Sequence, residues 1–335
     1  VAASFYLFSP ITTHPSLHLA NVVFAMLASV RTFTSRGTGS FVQRLIPTYS
    51  IRLFSQGGLV TTDWLRENIE DPSVKVLDAS RVPMFLHSTL PHALRLSLPG
   101  SLKGQDSNVV VSGDEFEAAA NLAGLSNSDK IVVYDSSVTM TATRHWWAFK
   151  RYGVDVAILD GGWKKWVREG GKMESGMKKA LSSLFSSGDK DSQNVEAHFK
   201  IKQNDSVFYS MDRLAKAVGT KGVHVVDARS PHEFSGRIKM NKRGGHVPGA
   251  VNMPHSLFLN DDGTLKSDEA LKEFARHAGL PKPKSCKPIV SYCQSGARAT
   301  IPAFALSKIG YTIGVYDASM SEWANAKDTL LISNK

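Results

Sequence analysis

The sequence predicts an α/β protein of two tandem domains, each a parallel sheet with helices on both faces. Apolar strand-like runs alternate with amphipathic helical stretches from about residue 58 to 330, an order that gives parallel sheets covered on both sides. The order also recurs. Val76-Leu77-Asp78-Ala79 returns as Val225-Val226-Asp227-Ala228, and Leu98-Pro99-Gly100-Ser101 as Val247-Pro248-Gly249-Ala250, both at an offset of 149. Ile131-Val132-Val133-Tyr134-Asp135 returns as Ile289-Val290-Ser291-Tyr292-Cys293 at 158, and Asp160-Gly161-Gly162-Trp163 as Asp317-Ala318-Ser319-Met320 at 157. Four matches in one order, with an insertion between the second and third, identify an internal repeat. Finally, 335 residues with 42% hydrophobic content exceed one ordinary domain and suffice for two cores.

Taken in order, residues 1–57 stand apart. They hold Arg31, Arg36, Arg44 and Arg52, many Ser and Thr, and no acid before Asp63. That is the composition of a mitochondrial transit peptide, so a matrix location is expected, with the cytoplasm as second choice. The apolar run over 17–30 is interrupted by His18, Asn21 and Ser29 and is too short to span a membrane. The net charge of +10 comes without a basic stripe interleaved with aromatics, so no nucleic-acid partner is expected. Two cysteines in so long a chain point to a reducing compartment rather than a disulfide framework.

The first copy is expected over 58–170, with helices over 62–70, 114–123 and 141–152, strands over 74–77, 131–134 and 156–159, and a closing helix from Trp163. A Ser-, Gly- and Lys-rich linker is expected over 171–205. The second copy, 206–335, repeats the scheme with helices over 210–218, 268–278 and 298–308 and strands over 223–226, 289–292 and 314–316. Trp146, Trp147, Trp163 and Trp166 read as core or interface packing, and His246 as a loop-packing histidine.

Chemistry concentrates where the strand over 289–292 meets the following helix. Cys293 sits at that helix mouth, where unpaired N–H groups and the dipole favour an anion. Gly296 lets the loop fold into a nest of amides, and Arg298 adds a fixed positive charge. These features favour a thiolate, the nucleophile of covalent catalysis. The first copy has Asp135 at this position, and 136–140 lack both Gly and Arg. A carboxylate is no soft nucleophile toward sulfur, so the first copy is expected to be silent. Cys286, in a Lys/Pro-rich loop, reads as a surface thiol rather than a redox partner of Cys293.

Val225–Arg229, Gly245-His246-Val247-Pro248-Gly249-Ala250, the loop from Cys293 to Arg298, and Tyr316-Asp317 with Glu322-Trp323 together resemble a tandem-domain rhodanese. This is the sulfurtransferase family that includes thiosulfate and 3-mercaptopyruvate sulfurtransferases. Arg144-His145-Trp146-Trp147 and Leu159–Trp163 extend the resemblance to the first copy, so that it spans roughly 58–330. Ala318 and Met320 depart from the family's usual Gly and aromatic there. The resemblance implies two rhodanese-like domains and a persulfide on Cys293. Amides of Gln294, Ser295, Gly296, Ala297 and Arg298 would hold its terminal sulfur, with no metal or organic cofactor. It also implies a small-molecule donor and, as acceptor, cyanide or a thiol such as glutathione or a thioredoxin-like protein. Ser295 matches the mercaptopyruvate form of the loop, whereas Arg298 matches some thiosulfate forms. Arg229, Arg237 and Arg243 are the expected substrate-binding cations, since a guanidinium fork suits a carboxylate. Arg229 is equally suited to pair with Asp227 or Glu233. Two rivals stand beside this function. A cysteine-dependent phosphatase would have five residues between Cys and Arg where this chain has four. A persulfide carrier would hold sulfur for a partner without turnover.

Overall fold

In the computed structural model the described residues are 58–83, 86–96, 98, 109–136, 139–177, 199–283 and 287–333. The expected transit peptide, Pro99-Gly100 and Cys286 lie outside them. The first copy runs β1 (Leu59–Val60), α1 (Thr62–Asn68), β2 (Val74–Asp78), β3 (Ser88–Thr89), α2 (Gly113–Leu122), β4 (Lys130–Tyr134), α3 (Met140–Arg151), β5 (Ala157–Leu159), α4 (Gly162–Arg168) and β6 (Glu174–Ser175). Strands β1-β5-β4-β2 form one parallel sheet. Its central strands are buried on both faces, so their sequences read as unbroken apolar runs rather than alternations. Helix α2 begins with a full capping box, Ser112 and Glu115 satisfying each other's backbone N–H.

The second copy runs β7 (Phe208–Tyr209), α5 (Met211–Gly219), β8 (His224–Asp227), α6 (Pro231–Ser235), β9 (Ala250–Asn252), α7 (Asp268–His277), β10 (Ile289–Tyr292), α8 (Thr300–Lys308), β11 (Ile313–Tyr316) and α9 (Ser319–Trp323). Its sheet, β7-β11-β10-β8-β9, is again parallel throughout. The expected alternation is therefore present in both copies. Edge strands β1 and β7, two residues each, were too short to signal themselves in sequence.

One match of the repeat is corrected by the structure. Tyr134 and Tyr292 end the central strands, and their hydroxyls accept from Leu90 N–H (3.3 Å) and Val247 N–H (3.1 Å) respectively. Leu94 bridges Leu77 just as Val251 pairs with Val226. His92 and Gly249 both have left-handed backbones, φ 55° and 75°. The counterpart of Val247-Pro248-Gly249-Ala250 is thus Leu90-Pro91-His92-Ala93, at offset 157, and not the stretch at 98–101. A histidine in a conformation that usually calls for glycine hid the match. The insertion accordingly precedes this turn: as the offset rises from 149 to 157, the second copy gains eight residues between Asp227 and Val247.

The expected linker is partly built into the fold. Glu174–Ser175 pairs antiparallel with β3, and Phe199 is fully buried against Phe116 and Phe149 of the first copy. The two copies share one apolar core, to which α3 and α8 both contribute. Trp146 and Phe304, equivalent at offset 158, meet edge to face with centroids 5.1 Å apart. Trp147 donates its indole N–H to Val207 O across the copies (3.0 Å). No described helix is long and apolar enough to cross a membrane.

Candidate active site at the end of strand β10

Cys293 follows β10 directly, at the carboxyl edge of the sheet where ligands of such folds gather. Register with β8 sets Tyr292 beside Asp227. The Tyr292 hydroxyl donates to Asp227 (2.6 Å), and burial pushes its pKa well up, so it stays a neutral strut. Cys293 is only 1% exposed. Its own N–H donates to Ser319 Oγ (3.1 Å), and that hydroxyl donates on to Tyr316 O (2.8 Å). Met320 N–H donates to Cys293 O and Ser321 N–H to Gln294 O, so the start of α9 clamps the first two residues of the loop.

The loop then turns back on the sulfur. Gly296 has φ +86° and donates its N–H to Cys293 Sγ at 3.2 Å. A Cβ here would lie 2.4 Å from Asp317 O, so only glycine fits. The N–H groups of Ala297 and Ala299 donate to no acceptor among the described residues. In the first copy the matching amides are in use. Asp135 Oδ1 accepts from Thr139 N–H (3.1 Å), and Oδ2 from Thr141 N–H (2.9 Å), Ala142 N–H (2.9 Å) and the Thr141 hydroxyl (2.8 Å). Thr139, Thr141 and Ala142 stand where the second copy has Ala297, Ala299 and Thr300. The turn is therefore an anion cradle in the first copy, filled by a carboxylate of the chain itself, and the second copy keeps two of its three amides open while Thr300 N–H donates to Ala297 O (3.2 Å).

The arginines expected to serve the site have divided roles. Arg298 does not face the sulfur with a spare charge: both arms of its guanidinium bind Glu233 (2.8 Å each). Burial pushes the Glu233 carboxyl up, but this fork and the Ser230 cap outweigh it and hold the group down to about 2. Arg229 is buried, and its guanidinium is taken up by Asp227 (2.6 Å) and Gly245 O (2.8 Å), so the pairing role prevails over substrate binding. Arg243 is likewise withdrawn from the substrate, because it gathers the carbonyls of Trp323, Ala324, Ala326 and Thr329 and so fastens the C-terminal segment. Arg237 is different. It is exposed and makes no hydrogen bond or ion pair among the described residues.

Arg237 lies in the eight-residue insertion, and that insertion is tied to the loop. Asn241 and Gln294 exchange side-chain amide bonds of 2.9 and 3.2 Å. His246 stacks on Phe234 with centroids 3.7 Å apart, a packing role as expected. Sequence reasoning missed Ser319 and Asn241, and named Glu233 only as a candidate partner of Arg229, whereas it pairs with Arg298. A signal for Ser319 exists: it repeats Gly162, and both are left-handed, φ 57° and 54°. Among the described residues no group of three or more His, Cys, Asp or Glu could hold a metal ion.

The rhodanese-like domain family model matches residues 61–169 and 210–326. Thiosulfate sulfurtransferase of Gallus gallus is 31% identical over 284 residues, covering 79% of this chain and 92% of its own. The sulfur carrier protein TtuD of Thermus thermophilus is 31% identical over 280 residues, covering 80% and 93%. Among solved structures, SseA from Escherichia coli, with the rhodanese fold of 3-mercaptopyruvate sulfotransferases, superposes with a TM-score of 0.64 at 25% identity, covering 79% of this chain and 99% of that one. Two matched domains, relatives aligned along nearly their whole length and a cysteine in an amide cradle converge: the chain belongs to the rhodanese family and is a sulfurtransferase.

Proposed function

We propose that the protein moves a sulfane sulfur from thiosulfate or 3-mercaptopyruvate to cyanide or a thiol through a persulfide on Cys293. The observation that carries this is the cradle. In the silent copy it holds an anion by three amides and a hydroxyl. In the second copy it surrounds a thiol whose Sγ already accepts from Gly296 N–H. In the first half-reaction the Cys293 thiolate attacks the donor's outer sulfur. An S–S bond forms, and the bond from that sulfur to the donor breaks. The electron pair leaves with sulfite or, for mercaptopyruvate, with the pyruvate carbon, which takes up the thiol proton. The terminal persulfide sulfur keeps the negative charge, and the amides of Gly296, Ala297 and Ala299 stabilise it as an oxyanion hole stabilises oxygen. In the second half-reaction the acceptor attacks that sulfur, and the S–S electron pair returns to Cys293. Arg237, an exposed cation of the insertion, meets the donor's anionic end.

A phosphoryl group needs an arginine fork turned into the cradle, and Arg298 is committed to Glu233. The phosphatase alternative is therefore disfavoured. The arginine-rich, acid-free residues 1–57 support delivery to the mitochondrial matrix.

Intact-protein mass spectrometry after mixing with each donor tests the mechanism. Wild type should gain one sulfur atom and release it to cyanide or glutathione; Cys293→Ser should gain none and keep its melting temperature. Sulfur uptake by Cys293→Ser would sink the persulfide. Stable uptake without release to any small acceptor would favour a carrier.

A further inference from the structure

We infer that the silent copy takes part in catalysis through Arg144, a positioning residue that sets the cradle by way of Asp317. The inference rests on the persulfide function proposed above. Arg144 lies on α3 of the first copy and Asp317 just after β11 of the second, and both are wholly buried. Arg144 Nη1 donates to Asp317 Oδ1 at 2.6 Å, and Val110 N–H, also from the first copy, donates to Oδ2. The Arg144 guanidinium packs over the Trp147 ring, 4.7 Å from its centroid, a contact that favours this position.

Asp317 in turn backs Gly296, whose amide touches the reactive sulfur. A Cβ on Gly296 would lie 2.4 Å from Asp317 O and 2.5 Å from Asp317 Oδ1. The Gly296 α-carbon thus rests on Asp317, and its N–H is turned to Cys293 Sγ at 3.2 Å. A shift of Asp317 moves that donor, and the stabilisation of a terminal sulfur falls steeply with such misplacement.

The repeat supplies the control. Asp160 is the counterpart of Asp317 and also accepts an amide across the copies, Leu265 N–H at 2.9 Å. Its side of the molecule holds Asp135 instead of a cysteine. If these aspartates served only to join the copies, removing either charge would have the same effect on activity.

Removing one charge of a buried pair strands the other, so the test removes both: Arg144→Met together with Asp317→Asn. Single-turnover sulfur loading of Cys293 from thiosulfate and from 3-mercaptopyruvate is followed by mass spectrometry, beside the melting temperature, with Asp160→Asn in parallel. The double variant should fold, load sulfur at least about tenfold more slowly at saturating donor, and keep KM within about twofold, because a positioning group acts on the transition state. Asp160→Asn should load at the wild-type rate. Wild-type loading by the double variant, equal slowing by Asp160→Asn, or failure of the double variant to fold would each overturn the inference. A wild type that takes up no sulfur would sink the persulfide function itself, and this inference with it.

Discussion

Replacing Asp135 by alanine should destabilise the first copy severely. Its carboxylate is 2% exposed and satisfies three backbone N–H groups and one hydroxyl. Alanine removes the acceptor and leaves four donors in a space without one. A buried polar group left unpaired costs about 1–3 kcal/mol. Neighbouring losses are not additive, so the sum is roughly 3–5 kcal/mol. For a chain of this size that lowers the melting temperature by on the order of 10 °C. Far-UV circular dichroism during thermal unfolding measures it. The variant leaves a gap the size of a small carboxylate, so formate should restore stability; at ten times its Kd the gain is about 1.4 kcal/mol. Neutral formamide, of similar shape, should restore much less. A melting temperature within about 2 °C of wild type, or equal rescue by formamide and formate, would refute the anion-cradle argument.

Three further outcomes follow from the site. Gly296→Ala pushes a methyl into Asp317 O and strains a residue at φ +86°; sulfur loading should fall at least about 100-fold as the amide leaves Sγ. Glu233 is held down to about 2 from an ordinary 4.5, so its contribution to stability is full at neutral pH and is lost as pH falls toward 2. In acid titrations followed by fluorescence, Glu233→Gln should lack that loss between pH ~5 and ~2, and an acid limb identical to wild type would remove the pair from the stability account. Arg237→Ala should raise donor KM about tenfold with the melting temperature unchanged, whereas Arg243→Ala should cost roughly 2 kcal/mol of stability with KM unchanged. Steady-state kinetics and thermal melts on both variants would expose a reversal of these roles.

Much of the fold was legible because buried parallel strands announce themselves as apolar runs, and those around Ile131 and Ile289 were found within a residue of their bounds. Cys293 was legible because a cysteine between a strand and a Gly-containing turn is rare. Pairing was not. Arg229, Arg243 and Arg298 look alike in sequence, and only the fold shows that a carboxylate or a row of carbonyls consumes each of them. Glu233, legible only as a candidate partner of Arg229, gave no signal toward Arg298 because 65 residues separate the two. The repeat was misaligned at one turn for a conformational reason: His92 adopts the backbone that its counterpart Gly249 adopts without strain.

The two copies explain each other once that register is corrected. Asp160 and Asp317 each receive an amide from the opposite copy, and Trp146 meets its own counterpart Phe304 at their shared face. Such reciprocal contacts place equivalent residues on both sides of the interface, as a two-fold arrangement does. The symmetry is broken where chemistry is. The first copy fills its cradle with Asp135, has no counterpart of the eight-residue insertion, and contributes Arg144, whose equivalent position in the second copy is Pro302. Asp135 stands where the second copy has Cys293, and helix α3 of the first copy packs at the interface. What it offers there is an arginine whose carboxylate partner, Asp317, backs the catalytic loop. By that inference the first copy is part of the active site's foundation, since its buried Arg144 binds Asp317 of the other copy.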